Sequence, residues 1–88
     1  MNVSVKLNLA FQYLIGNEEN IEVNGLTVMQ CLEDFIKKYP GTKNWLFSDQ
    51  GSLQSMVLLN NEPVSQEELN RPVTDKDELW ILNILEGG

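Results

Sequence analysis

Apolar and polar residues alternate in two segments near the start of the chain, and a period of two is typical of a β-strand with one buried face. In the first segment the apolar positions are Val3, Val5, Leu7 and Leu9. The alternation returns at Ile21 and Val23, after a turn-rich stretch at 16–20. The two segments predict a pair of neighbouring strands, the second of which ends at Gly25.

The next segment has the spacing of an amphipathic helix. Thr27 precedes it and is a residue type preferred at a helix N-cap, and Pro40-Gly41 ends it. Its apolar positions recur every three or four residues, at Val28, Cys31, Leu32, Phe35, Ile36 and Tyr39. Glu33–Lys37 and Asp34–Lys38 are oppositely charged pairs one turn apart, which stabilise a helix. Cys31 is interpreted as a small buried apolar residue rather than a reactive thiol, because it lies on the apolar face.

The second half of the chain predicts a loop and three short strands. Residues 41–55 are irregular, and we expect their large apolar residues to pack against the core; these are Trp45, Leu46 and Phe47. Met56 to Leu59 predicts a strand, closed by Asn60-Asn61 because asparagine tolerates the positive φ of a tight turn. Pro63-Val64 predicts a brief edge strand, and Leu79 to Leu85 predicts the last strand.

Without the brief edge strand at Pro63-Val64, the resulting order is β-β-α-β-β, which predicts an α+β domain. The last strand differs from the first because it is apolar on both faces: Leu79 and Ile81 point to one side, Trp80 and Leu82 to the other. A single predicted helix can cover only one face of the sheet. The other face is therefore a candidate surface for a partner.

Composition and charge exclude several classes of function. The 88 residues fit one domain. A net charge of −7, from 13 acidic and 6 basic residues, repels nucleic acid; it suits a basic partner or serves solubility alone. One cysteine and no histidine exclude an internal disulfide, a metal centre of histidines and cysteines, and a histidine-activated nucleophile. We therefore do not expect an enzyme.

The expected location is the cytoplasm, since the chain carries neither a signal peptide nor an apolar membrane span. A single cysteine also agrees with a reducing compartment. We expect no membrane partner and a monomer when the protein is free.

The chain ends in Glu86-Gly87-Gly88, directly after the last predicted strand. A tail without side chains can enter a narrow channel. Its terminal carboxylate, with a reference pKa of about 3.3–3.7, is ionised at neutral pH and can attack an activated phosphate. The alternative is a frayed end without a function. We predict a folded domain at 1–85 and a flexible tail at 86–88, with Gly88 as the reactive residue.

Over essentially its whole length the sequence resembles the MoaD/ThiS family of ubiquitin-like sulfur carriers, which includes the small subunit of molybdopterin synthase and the thiamin-pathway carrier. The resemblance rests on Thr27-Val28, Leu32, Tyr39-Pro40-Gly41, Asn60 to Val64, Asp75 to Leu79, and Gly87-Gly88. It implies a ubiquitin-like β-grasp fold, a mixed sheet of four to five strands with one main helix across one face. Leu79 and Ile81 would then lie under the helix. Trp80 and Leu82 would lie on the open face with Leu58 beside them, as a docking surface.

The resemblance also implies a mechanism in which no side chain of the carrier is catalytic. A MoeB/ThiF-like activating enzyme uses ATP to adenylate the Gly88 carboxylate, and a sulfur donor converts the adenylate to a thiocarboxylate, a covalent 1-thioglycine. No cofactor is bound by the carrier itself. The sulfur then passes to the molybdopterin synthase large subunit or to another sulfur-accepting enzyme. We expect Glu62 and Glu86 to lie nearest the tail, where they would meet basic residues of the activating enzyme.

Molybdopterin biosynthesis is the pathway that the resemblance favours, and three alternatives stay open. In the first alternative the chain is a thiamin-pathway or other sulfur carrier. In the second it is a ubiquitin-like modifier joined to lysines through Gly88, and in the third it is an interaction module whose tail has no chemical role.

Overall fold

A computed structural model describes residues 1–83, and five strands in it form one mixed sheet. The strands are β1 (Asn2–Leu7), β2 (Ile21–Asn24), β3 (Met56–Leu59), β4 (Glu62–Pro63) and β5 (Glu78–Leu82), in the order β2-β1-β5-β3-β4. The two central strands, β1 and β5, run parallel, and the other neighbours are antiparallel. The main helix, α2 (Val28–Lys38), is accompanied by the short helices α1 (Leu9–Leu14) and α3 (Lys43–Leu46). This is the predicted ubiquitin-like β-grasp fold.

Every second residue of the long strands faces α2 and is buried. The core residues from the sheet are Val3, Val5, Leu7, Ile21, Val23, Val57, Leu59, Leu79 and Ile81. They pack against the apolar side of α2, which contributes Val28, Cys31, Leu32 and Phe35. The period-two and helical patterns therefore identify the residues that drive folding through burial of apolar surface.

Helix α2 begins as its sequence predicts. The Thr27 hydroxyl oxygen accepts a hydrogen bond from the Gln30 N–H at 3.2 Å, which satisfies one of the free donors of the first turn. Lys38 pairs with Asp34 at 3.4 Å, as expected for residues one turn apart. Glu33 and Lys37, which also lie within the described part of the chain, do not form an ion pair.

The first strand is shorter than the alternation predicts. It ends at Leu7, and the Asn8 side chain then caps α1 by accepting a hydrogen bond from the Phe11 N–H at 3.2 Å. Leu9 was expected to point into the core but is 81% exposed, and Phe11 takes the buried position instead. The prediction for Leu9 was wrong because Asn8 caps a helix, and the side chains of a helix do not continue the alternation of the strand before it.

The segment between α2 and β3 packs against the core, as predicted. A 3-10 turn at Pro40–Thr42 follows the helix, and α3 buries Leu46. The Trp45 ring lies 5.7 Å from that of Phe11, which in turn contacts Phe35 of α2 at 6.5 Å. The segment therefore packs on the helix side of the sheet.

The β3–β4 turn confirms the assignment of Asn60-Asn61, whose φ angles are 49° and 72°. The edge strand that follows is β4 at Glu62–Pro63, one residue earlier than predicted. Strand β5 begins at Glu78 and ends at Leu82.

Candidate functional site

The predicted reactive group lies beyond the part of the chain that the structure describes. Gly88, Gly87 and Glu86, and the predicted domain boundary after residue 85, all fall outside residues 1–83. The described residues define instead where the tail begins and which surfaces surround that point.

The described part of the chain ends at Asn83, beside the end of β1. Strand β5 runs parallel to β1 with Ile81 opposite Leu7, so the two strands terminate at the same end of the sheet. The Asn8 side-chain Nδ2 donates a hydrogen bond to the Asn83 carbonyl oxygen at 3.0 Å. The same side chain caps α1, and it therefore connects that helix to the last described residue. We call Asn8 and Asn83 the tail exit.

Four apolar side chains form a contiguous block on the sheet face opposite α2. In the strand register Leu58 lies opposite Trp80 and Met56 lies opposite Leu82. Leu58, Trp80 and Leu82 are partly exposed, and Met56 is 42% exposed. Their strand neighbours Leu79 and Ile81 are fully buried on the helix side, as the family resemblance implies. We call these four residues the sheet patch; its role in partner binding stays a prediction.

Met56 is the member of the sheet patch that sequence reasoning missed. The signal was available, because Met56 lies two residues before Leu58 on the same strand and must share its face. Its place opposite Leu82, next to the tail exit, required the register of β3 against β5.

Charged residues border the sheet patch and orient its largest member. Lys6 of β1 lies opposite Trp80 on one side. The Trp80 indole Nε1 donates a hydrogen bond to the Glu78 carboxylate at 2.8 Å, which satisfies the only polar atom of the indole. The ring can then present its apolar surface outward, and tryptophan is among the residues most often found to dominate binding energy at interfaces.

Glu62 lies away from the tail exit, contrary to the expectation that it is one of the residues nearest the tail. Leu59 is opposite both Glu62 and Leu79, so Glu62 lies near the start of β5, at the end of the sheet away from the tail exit. There it forms an ion pair with Arg71 at 3.6 Å. The error arose because the pattern of residues does not reveal that β3 runs antiparallel to β5.

Cys31 is fully buried on α2, which confirms its prediction as a core residue. Burial raises the pKa of its thiol above the usual value, so it stays protonated and unreactive at neutral pH. Among the described residues no three potential metal-binding side chains come together. No helix in residues 1–83 is long and apolar enough to cross a membrane.

Comparison with known proteins gives one family and several similar folds. A family model described as the ThiS family matches residues 5–88. No curated protein sequence matches the chain significantly.

Three solved structures resemble the chain over nearly its whole length. CysO, solved in complex with BexX from Amycolatopsis orientalis, is 27% identical with a TM-score of 0.79, and the match covers 98% of this chain and 99% of that one. Small archaeal modifier protein 1 from Methanosarcina acetivorans is 25% identical with a TM-score of 0.81, covering 99% and 96%. The complex of subunits 1 and 2 of the molybdopterin-converting factor from Helicobacter pylori contains a chain that is 25% identical, with a TM-score of 0.66 and full coverage of both.

Proposed function

The chain belongs to the ThiS family of ubiquitin-like sulfur carriers, and on that premise we propose that it carries sulfur as a thiocarboxylate on Gly88. The observation that carries this proposal is the extent of the family match, which runs from residue 5 to residue 88 and so includes Gly87-Gly88. The role proposed for the rest of the chain is to dock on a partner and to place the tail in its active site.

The proposed chemistry takes place on the terminal carboxylate. A carboxylate oxygen of Gly88 attacks the α-phosphorus of ATP held by a MoeB/ThiF-like activating enzyme, and pyrophosphate leaves. The acyl-adenylate has a good leaving group, AMP, which the free carboxylate lacks. A sulfur donor then displaces AMP, and the product is 1-thioglycine at the C-terminus. In this scheme the partner supplies the catalytic groups, and the carrier remains non-catalytic.

The positions of the sheet patch and the tail exit support docking of this kind. Leu82 of the sheet patch immediately precedes Asn83, and residues 84–88, which include the predicted tail, follow in the sequence. Residues 84–88 can span at most ~3.3–3.6 Å each, or about 17–18 Å in total. A partner that binds the sheet patch therefore has its own surface close to the place where the tail begins.

For the acceptor of the sulfur, we propose the large subunit of molybdopterin synthase. Support comes from the Helicobacter pylori molybdopterin-converting factor, whose two subunits were solved as a complex. The Methanosarcina acetivorans modifier protein favours a second candidate, attachment of Gly88 to other proteins. Mass spectrometry of the protein from its own cells separates the two. A carrier shows one sulfur in place of one oxygen, and a modifier shows a conjugate linked to a lysine.

The direct test changes the length of the tail by one residue. Deleting Gly88, or adding one residue after it, displaces the reacting carboxylate by about 3.5 Å from the phosphate. Since a misplacement of ~1 Å can cost about a hundredfold in rate, we expect ATP–pyrophosphate exchange with the cognate activating enzyme to be abolished in both variants. A variant with one residue added before Met1 is the control, and we expect it to keep full activity.

Thermal melts of the three variants should match that of the wild type, because a terminal glycine buries no apolar surface. Full exchange activity in the variant extended after Gly88 would contradict both the carrier and the modifier. An interaction module would then be the remaining function.

A further inference from the structure

The first helix of the protein exposes apolar side chains in a part of the chain without charge. Residues 7–17 contain no charged side chain, although 22% of the whole sequence is charged. Within this stretch Leu9 is 81% exposed and Tyr13 is 82% exposed. They are four residues apart in α1 and therefore project from the same side of the helix. We call Leu9 and Tyr13 the α1 patch.

This patch is not required for the core of the domain. On the other side of α1, Phe11 is fully buried and contacts the rings of Phe35 and Trp45. Phe11 therefore anchors the helix and leaves Leu9 and Tyr13 in solvent. Singly exposed apolar residues are common on protein surfaces, so exposure alone does not identify a binding site.

Its location relative to the tail is the second observation. Leu9 directly follows Asn8, whose side chain holds the Asn83 carbonyl at 3.0 Å. The five residues beyond Asn83 reach at most about 17–18 Å. An enzyme that receives Gly88 must have its nucleotide site within this distance of the tail exit. Such an enzyme therefore comes close to the molecular surface around Asn8, where the α1 patch begins.

We propose that the α1 patch is a second contact surface for the activating enzyme, which meets it with an apolar, uncharged surface beside the channel that takes the tail. The inference rests on the proposed function and adds to it. Leu82 of the sheet patch directly precedes Asn83, and Leu9 of the α1 patch directly follows Asn8, so both patches border the tail exit. In this proposal the enzyme contacts the carrier through the sheet patch and the α1 patch, which both border the tail exit.

The absence of charge in residues 7–17 determines how this contact responds to salt. Interactions between exposed charges weaken as ionic strength rises, whereas apolar contacts do not. The contribution of the α1 patch should therefore persist at salt concentrations that weaken steering by the acidic surface of the carrier.

The test compares the α1 patch with one other exposed apolar residue in ATP–pyrophosphate exchange. In the double variant Leu9→Ser, Tyr13→Ser, we expect the KM for the carrier to rise about tenfold or more at both low and high salt. The kcat should stay unchanged, because the tail reaches the same site once the carrier is saturating. Leu26→Ser is the matched control. Leu26 is 62% exposed but follows Gly25, whose N–H donates to the Met1 carbonyl at the opposite end of the sheet.

A conservative double variant, Leu9→Met, Tyr13→Phe, keeps the apolar surface and should retain the wild-type KM. It keeps the test decisive if the serine variant melts at a lower temperature. A wild-type KM in a folded serine variant, or an equal rise in the conservative or the Leu26→Ser variant, would overturn the α1 contact alone. A wild-type carrier without exchange activity would instead overturn the proposed function on which the inference rests.

Discussion

At the scale of single residues, Gly25 connects β2 to α2 through a very close backbone contact. A Cβ atom at this position would lie 2.7 Å from the Cys31 nitrogen and 2.9 Å from the Gln30 carbonyl carbon. Both are backbone atoms of the first turns of α2, so neither can move without shifting the helix. Glycine is needed here because the chain passes close to the helix, and no side chain fits between them.

Replacing Gly25 with alanine should therefore destabilise the fold. We expect Gly25→Ala to lower the free energy of unfolding by about 1–3 kcal/mol, the usual cost of forcing extra atoms into a packed region. Urea denaturation measures this difference.

Gly41→Ala is the matched control for that experiment. No atom lies within 4 Å of a Cβ at Gly41, so we expect stability to be unchanged or slightly increased. Equal loss of stability in both variants would show that steric contact at Gly25 is not the cause.

At the scale of elements, the outer edge of β2 is covered by side chains of α2. Among residues 1–83, β2 pairs only with β1, and an unpaired strand edge can recruit another strand. Here the Lys38 Nζ donates to the Glu22 carbonyl at 2.7 Å, and Asp34 Oδ2 accepts from the Asn24 N–H at 2.9 Å. Asp34 and Lys38 also pair with each other. The helix thus satisfies two backbone groups of the edge and ties β2 to α2.

These contacts make the stability contributed by Asp34 depend on pH. The Asn24 N–H, and after it Lys38, hold the pKa of the Asp34 carboxyl below its usual value of 3.8. A carboxylate whose pKa is lower in the folded state stabilises the protein above the pKa of the unfolded state. That contribution is lost as the pH falls through the folded pKa.

In the variant Asp34→Ala we expect a loss of about 1 kcal/mol in the free energy of unfolding at neutral pH. The difference from wild type should disappear in acid. Denaturation of both proteins at a series of pH values measures this difference in stability. Glu68 and Asp77 also have lowered pKa values, but both are present in the wild type and in the variant, so the difference reports on Asp34 alone. The control is Glu33→Ala on the same helix. A difference that persists unchanged in acid would contradict the role of the Asp34 carboxylate.

At the scale of the whole molecule, the surfaces with a proposed function lie around one end of the sheet. The tail exit lies there, with the sheet patch on one side and the α1 patch on the other. The opposite end, near Gly25 and the start of β5, holds the Glu62–Arg71 ion pair. The proposed partner contacts are therefore concentrated around the end from which the tail extends.

A charge placed in the sheet patch should weaken partner binding more than it weakens the fold. In Trp80→Glu the apolar indole is lost and a new carboxylate would have to give up its water in the interface, so we expect the affinity for the activating enzyme to fall at least tenfold. Isothermal titration calorimetry measures the affinity, and a thermal melt confirms that the domain remains folded.

Gln50→Glu is the control, because Gln50 is an exposed residue outside the patch and the variant adds the same single charge. An unchanged affinity for Trp80→Glu would show that the partner does not use this face. The assignment of the sheet patch as a docking surface would then be wrong.

Local patterns in the sequence were sufficient for the elements whose structure depends on near neighbours. The cap at Thr27, the apolar face of α2 and the Asn60-Asn61 turn all involve residues within a few positions of one another. The alternation along β5 likewise separated Leu79 and Ile81 from Trp80 and Leu82, and the family resemblance supplied the assignment of the first pair to the helix side. These interactions are short-range, so residue type and spacing determine them.

Tertiary structure alone decided the features that depend on contacts between distant parts of the chain. The parallel pairing of β1 with β5 joins residues such as Leu7 and Ile81, far apart in sequence, and no local pattern specifies that register. It placed the tail exit next to Asn8, and the antiparallel pairing of β3 with β5 located Glu62 at the opposite end. The packing of Phe11 against Phe35 and Trp45 decided which side of α1 is buried, and it left Leu9 exposed. Such pairings form because the whole core packs only in one arrangement, and that arrangement is a property of all its residues together.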